Sequence, residues 1–256
     1  MVSTSEAIAY AEICVYIPTF ILTLFVVFRH GFKRQAGWIY LAIFSLIRVA
    51  GAGFKIAQSH NPTNKTDIEW AAILQSVGLS PLLLASMGLL KRVNVAANSG
   101  IANIITKRAT AHSRRSRVIQ IAALPTMIAL ALAIIGGTDE ADSDASDISN
   151  GKKYMKIAVI MFFCIYLLLC ALTVITMTDV GNAPRGEKRI YIAVLAALPL
   201  LAVRLLYSIL AAFVNNNDFS IFGGKPLIQL FMAIIEEFVI VLFYTLVGLT
   251  SNKSEY

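Results

Sequence analysis

The chain has 256 residues, of which 57% are hydrophobic and only 14% charged, and its mean hydropathy is +0.72. A soluble domain of this size has no interior large enough to bury so much apolar surface, so the solvent of the fold is lipid. The net charge of +7 comes from basic residues grouped between apolar runs, which excludes little beyond a nucleic-acid module, because no aromatic or groove-reading pattern accompanies them.

Runs long enough to cross about 30 Å of hydrocarbon need roughly 20 helical residues each. Seven are present, and they predict an all-α polytopic membrane protein with one seven-helix domain over residues 1–256. The first run, residues 7–28, carries Glu12, Cys14 and Pro18. The residues before it lack a basic stretch and include Glu6, so it reads as a retained span and not as a cleaved signal peptide. Arg29, Lys33 and Arg34 follow it. The second run, 38–57, holds Arg48 and Lys55, and the loop after it holds Asp67, Glu69 and the glycosylation sequon Asn64-Lys65-Thr66. The third, 70–90, opens on Trp70 and contains Pro81; Lys91, Arg92, Lys107, Arg108, Arg114, Arg115 and Arg117 come after it.

The fourth run, 118–136, contains Pro125 and leads to an acidic loop with Asp139, Glu140, Asp142, Asp144 and Asp147. That loop lacks the turn glycine and terminal glutamate of a calcium loop, so it reads as a solvated acidic surface. The fifth, 154–177, carries Cys164 and Cys170 and is followed by Arg185, Lys188 and Arg189. The sixth, 190–213, contains Pro199, Arg204 and Tyr207, and Asp218 lies in the loop beyond. The seventh, 227–249, contains Glu236, Glu237 and Tyr244.

Basic residues near span ends stay on the cytosolic side. They gather in the odd-numbered loops, which predicts an N-terminus outside or in a lumen and a C-terminus in the cytosol. Lys152, Lys153 and Lys225 run against this pattern but are outnumbered. All three cysteines fall inside apolar runs, so no disulfide is expected.

Ionisable side chains inside spans are costly and mark functional sites by default. Here they are Glu12, Arg48, Lys55, Arg204, Glu236 and Glu237. At 1.5 Å per residue, Arg48, Arg204 and Glu236 all lie about 14 Å from the outer ends of their helices. A common depth lets their charges compensate, which predicts that spans two, six and seven are neighbours. Tyr207 and Ser208 share the face of Arg204, and Gly51, Ala52 and Lys55 that of Arg48. Glu236 and Glu237 are about 100° apart on a helix, so one pairs with arginine while the other faces a cavity or a second partner. The four in-span prolines predict helices kinked around a central cavity. Leu46-Ile47-Arg48-Val49 also echoes Ala202-Val203-Arg204-Leu205, as in a parallel repeat of spans one to three and five to seven.

The seventh run has no lysine for a retinal Schiff base, no glycine-rich phosphate loop occurs, and the cysteines and histidines (His30, His60, His112) form no zinc pattern. Neither a metal nor an organic cofactor is expected.

The stretches Ser45-Leu46-Ile47-Arg48-Val49-Ala50-Gly51, Gly78-Leu79-Ser80-Pro81-Leu82-Leu83-Leu84, Arg204-Leu205-Leu206-Tyr207-Ser208 and Glu236-Glu237 resemble a group of fungal seven-span proteins similar to the membrane-bound meroterpenoid (terpene) cyclases of the ascofuranone and macrophorin pathways. The resemblance implies secondary metabolism in the endoplasmic reticulum or another endomembrane, and a lipophilic prenylated aromatic or polyketide substrate. It further implies an isomerase-type reaction in which an epoxide or alkene is protonated and the carbocation cyclises, with pathway enzymes as partners in the same membrane. The chemistry suits a buried carboxyl, since an acid held away from water keeps its proton more readily. Glu236 or Glu237 is the candidate acid, with Arg48 and Arg204 holding the partner carboxylate. Tyr207, Tyr244, Trp70 and Phe238 offer faces to a cation, and Lys55 and Glu12 complete the expected substrate site. Two other readings of the same residues are a small transporter or lipid-translocating protein and, less favoured, a receptor; intramembrane Arg–Glu pairs also serve simply to fix helix register.

Overall fold

The computed structural model describes residues 4–31, 36–61, 64–101, 106–141, 145–214 and 225–251. Among them the secondary structure is helical throughout: α1 Thr4–His30, α2 Ala36–His60, α3 Lys65–Val77, α4 Leu79–Ile101, α5 Thr106–Ala141, α6 Ala145–Met177, a 3₁₀ turn Val180–Asn182, α7 Arg185–Phe213, α8 Pro226–Gln229, a π turn Leu230–Ile234, and α9 Ile235–Thr250. Seven of these stretches are long and apolar enough to cross a membrane, with α3 and α4 together forming the third and α8, the π turn and α9 the seventh. Large apolar side chains such as Ile21, Phe25, Phe28, Ile121, Leu124, Val174 and Ile192 are exposed on their outer faces. So wide an apolar surface is what lipid contact requires. The protein is an integral membrane protein.

The third span occupies the middle. In its apolar window 82% of residues are buried, against 28–39% in the other six. α4 packs on α2, α5, α6 and α7, while α1 closes against both α2 and α9. Backbone contact at the start of α2 makes this arrangement possible: a Cβ on Gly88 would stand 2.6 Å from the Cα of Gly37. Small residues at such crossings let membrane helices approach until their backbones touch.

The third span fills much of the middle of the bundle, and a void of about 30 Å³ lies beside Arg204 and Tyr207. The loops, prolines and cysteines singled out from the sequence take these places in the structure. Pro18, Pro125 and Pro199 lie inside continuous helices. Pro81 sits in the first turn of α4, where its missing N–H leaves no partner stranded. The acidic and basic loops are also largely helical. Asp139 lies in α5 and Asp147 in α6, α5 already begins at Thr106, and Arg185, Lys188 and Arg189 form the first turns of α7. Hydropathy detects only the lipid-crossing part of a helix, whereas Ala, Lys and Arg continue it into water at little cost in propensity. Lys33, Arg34, Asp142, Asp144 and Asp218 lie outside the described residues. Cys14, Cys164 and Cys170 are free thiols. Asn64 of the sequon is used as a helix cap, its Oδ1 accepting from the Thr66 N–H at 3.2 Å and its Nδ2 donating to Asp67 at 2.9 Å.

Candidate functional site

Three of the intramembrane charges meet where the third span is interrupted. α3 ends at Val77 and α4 begins at Leu79, and Gly78 between them is helical, with φ −54° and ψ −31°. Into the space that a side chain there would occupy comes Arg48 from α2: a Cβ on Gly78 would lie 2.6 Å from Arg48 Nη2 and 2.9 Å from Glu237 Oε1. Arg48 Nη2 forms an ion pair with Glu237 Oε2, and its Nη1 donates to Gln75 Oε1 at 2.8 Å. On the other side Arg204 donates from Nε to Glu237 Oε1 at 2.5 Å, from Nη1 to Ser208 Oγ at 2.6 Å, and from Nη2 to the Gln75 carbonyl at 3.3 Å. That carbonyl is one of the last four of α3, which the helix itself leaves unpaired. Each guanidinium also faces an aromatic ring, Arg48 over Phe44 at 5.5 Å and Arg204 over Tyr207 at 5.7 Å.

The seventh span reaches this point through an irregular turn. The Ile235 N–H donates to the Leu230 carbonyl, five residues back, so the turn holds one residue more than an α-helix allows. In an uninterrupted helix Gln229 and Glu237, eight residues apart, would be rotated about 80° from each other. The extra residue removes about 100° of that advance and brings both to nearly the same face. Gln229 accordingly receives Lys55 Nζ on its Oε1 at 3.2 Å, while Glu237 meets the arginines.

Three cationic side chains, Arg48, Lys55 and Arg204, thus accompany three carboxyl groups, Glu12, Glu236 and Glu237. Their roles differ. Arg48, Arg204 and Glu237 are 1%, 2% and 0% exposed, and the Glu237 carboxylate is held on both oxygens. Glu236 is half-buried, and its Oε2 is buried with no hydrogen-bond partner among the described residues. Glu12 on α1 is buried, with Oε1 similarly unpartnered, as is the Tyr16 hydroxyl one turn further on.

Of the residues selected from sequence, Arg48, Arg204, Glu237 and Tyr207 come together, with Lys55, Glu12 and Glu236 around them. Tyr244 and Trp70 stand elsewhere. Tyr244 is buried and shares a 2.7 Å hydrogen bond with Ser86, seven residues and about 10 Å along the helix from Glu237. Trp70 is 46% exposed and stacks on Phe54. A search restricted to ionisable groups misses Gln75, Gln229 and Tyr16; extending it to amides and phenols inside apolar runs recovers all three. Among the described residues no group of three or more His, Cys, Asp and Glu is placed to hold a metal.

A second polar cluster lies toward the other end of the bundle. Arg92 Nη2 pairs with Glu187 at 2.7 Å and its Nε donates to both carboxylate oxygens at 2.9 and 3.1 Å. His30 stacks on Trp38 and bonds through Nε2 to the Gly248 carbonyl at 2.8 Å, and Arg29 donates to the Leu249 carbonyl at 2.6 Å. These contacts occupy carbonyls at the C-terminal end of α9 that have no helical partner. Read from sequence, Arg29 and Arg92 are topology markers and His30 a rim residue; here they clasp five helices.

Gly78→Ala tests how tightly the charged cluster is packed. Alanine suits the helical backbone of Gly78 and favours it by up to about 1 kcal/mol, yet its methyl group would displace the Arg48 guanidinium. Overpacking of this kind costs about 1–3 kcal/mol, so the detergent-solubilised variant is expected to melt below the wild type.

A family model described as "Domain of unknown function (DUF7702)" matches residues 2–254, and the chain belongs to that family. No curated protein matches it.

Proposed function

We propose that this family member is a membrane-bound terpene cyclase of the meroterpenoid type, a cofactor-independent isomerase acting on a prenylated aromatic or polyketide molecule dissolved in the bilayer. The observation that supports this reading is the division of labour between adjacent carboxyls. Glu237 is engaged by two guanidiniums, whereas Glu236 has a buried oxygen that no donor among the described residues satisfies. A carboxyl in that position is suited to carry a proton and deliver it.

In the proposed reaction the Glu236 proton passes to the epoxide oxygen as a C–O bond opens, or to an alkene carbon as its π electrons form the new C–H bond. The next alkene attacks the cation and forms a C–C bond. The final cation returns a proton to Glu236, so atoms balance and product and substrate have equal mass. Glu237 and the arginines keep the acid positioned, and aromatic faces nearby lower the energy of the cation.

Expression in a yeast supplying prenylated phenols and their epoxides, followed by mass spectrometry of extracts, tests the proposal. A new isomer of unchanged mass is expected; unaltered substrates beside well-folded protein would overturn it. Transport is the second reading, favoured by the break at Gly78 and the π turn in the seventh span, since interrupted helices line the midplane sites of transporters. Uptake of an unmodified solute into vesicles, lost in Glu236→Gln, would select it.

The proposal includes an N-terminus in the lumen of the endoplasmic reticulum or another endomembrane and a C-terminus in the cytosol, supported by the basic residues of the odd-numbered loops. Protease added to sealed microsomes is expected to remove a C-terminal epitope tag and spare an N-terminal one. The reverse pattern would invert the topology.

A further inference from the structure

The void of about 30 Å³ beside Arg204 and Tyr207 has room for about two water molecules. Along α7 its lining runs from Arg204 to Ala212, one residue short of the helix end at Phe213. It therefore reaches the aqueous end of that span. Two of its polar lining residues, Ser208 and Gln229, are half-buried, so a guest in the void touches them without displacing the buried arginines.

Both are donors backed by a cation. Arg204 Nη1 donates to Ser208 Oγ at 2.6 Å, and the hydroxyl hydrogen is left with a 3.4 Å contact to the Arg204 carbonyl, far longer than the about 2.7–2.8 Å usual between oxygens. Lys55 Nζ donates to Gln229 Oε1 at 3.2 Å, which turns the amide N–H group away from the lysine, where it meets no acceptor among the described residues. A donor whose own oxygen is held by a cation is polarised and donates more strongly. Acceptors are scarce, since the side-chain oxygens of Gln75 and Gln229 already receive Arg48 and Lys55. Water has two hydrogens to place and is poorly served there, whereas a guest that only accepts is well served.

The charges nearby agree. No carboxyl is among the described lining residues. Lys156 Nζ stands 5.7 Å from the centroid of the Phe213 ring, beside the outer limit of the void. Asp139 and Asp147, on the same helices as the lining residues Ala133 and Met155, lie about 9 and 12 Å further along them.

We infer that this void is a binding site for a small monovalent anion, of the size of chloride or formate. The Ser208 hydroxyl and the Gln229 amide hold it, and Arg204 and Lys55 act through them. In the reaction proposed above Glu236 begins protonated, so the cations Arg48, Lys55 and Arg204 then face at most two carboxylates, Glu12 and Glu237. Uncompensated charge inside the membrane is costly, and one bound monovalent anion cancels it. The inference rests on that reaction for this balance of charge but not for the binding.

A titration tests it. Chloride replaces gluconate stepwise, at constant ionic strength, around the purified full-length protein in nanodiscs while the melting temperature is followed. A saturable rise is expected, about 3 °C at ten times the dissociation constant; formate should reproduce it, and sulfate, larger and divalent, should not. Ala212→Leu and Ala211→Val fill the void from residues outside the ion cluster. Each is expected to keep a single melting transition in gluconate and to bind chloride at least tenfold more weakly. No saturable rise in the wild type, or the same rise in both variants, would overturn the site and leave the void to water. A rise with octanoate and none with chloride or formate would overturn it in favour of a lipid carboxylate. A chloride-specific rise in protein that forms no isomer leaves the anion site standing and removes the cyclase, whereas isomer formation without such a rise removes the site and leaves the cyclase.

Discussion

Replacing Glu237 by alanine is expected to eliminate folded protein from the membrane. The substitution removes the shared partner of Arg48 and Arg204, both almost completely buried, and neither guanidinium can reach water. Breaking a buried pair by deleting one member costs roughly 3–5 kcal/mol, because the remaining charge is uncompensated. Here two charges are stranded by one deletion, so the cost lies at or beyond the top of that range, a large part of the about 5–15 kcal/mol that holds a domain folded. Size-exclusion profiles of fluorescently tagged protein should show aggregate where the wild type gives a single peak. Removing the charges together should be milder. Replacing Arg48, Arg204 and Glu237 simultaneously by methionine, methionine and leucine leaves no unpaired charge, and buried ion clusters exchanged for packed apolar groups are often neutral or stabilising. A monodisperse triple variant would establish that the cluster is dispensable for folding. A triple variant as aggregated as Glu237→Ala would show that the arginines hold the break at Gly78 through hydrogen bonds to Gln75 and not through charge alone.

Glu236→Gln should behave in the opposite way. Its carboxyl makes no ion pair among the described residues, and glutamine has the same shape, so yield and melting temperature should stay near wild type. Isomer formation should fall by about 10²–10⁴, the range supplied by a positioned general acid. Glutamine cannot donate a proton of comparable acidity, so no residual acid route remains through that position. A variant that folds and retains full turnover would assign the acid elsewhere, and Glu12 would be the next group to test.

The seven spans were legible because lipid imposes a length and an apolar composition that few other folds share. That Arg48 and Arg204 share a layer with one of the two adjacent glutamates was legible for a related reason. Charges inside hydrocarbon must find one another, and counting depth along straight helices puts these three within a turn of each other. Counting assumes a regular helix, and that is where sequence reasoning lost its hold. Nothing in Leu230-Phe231-Met232-Ala233-Ile234 announces a π turn, yet that turn decides which of the two adjacent glutamates faces the arginines. The central position of the third span was equally hidden, since burial by protein and burial by lipid favour the same apolar residues. Gln75, Asn94 and Arg92, polar groups within one span, were the available sign. Tyr244, expected from sequence as an aromatic face for a cation, stands seven residues along the helix from Glu237, too far for one site.

The contacts of Arg29 and His30 have a bearing on biogenesis. Their acceptors, the carbonyls of Leu249 and Gly248, are separated from them by 220 and 218 residues of chain. The first span thus leaves the ribosome long before its latch exists and waits in the bilayer while five others are inserted. Only when the last helix has been released can the ring of spans close around the third. Until then the central helix, with its glutamine and arginine, lacks its final wall. A nascent chain stalled within the seventh span would leave that seam open.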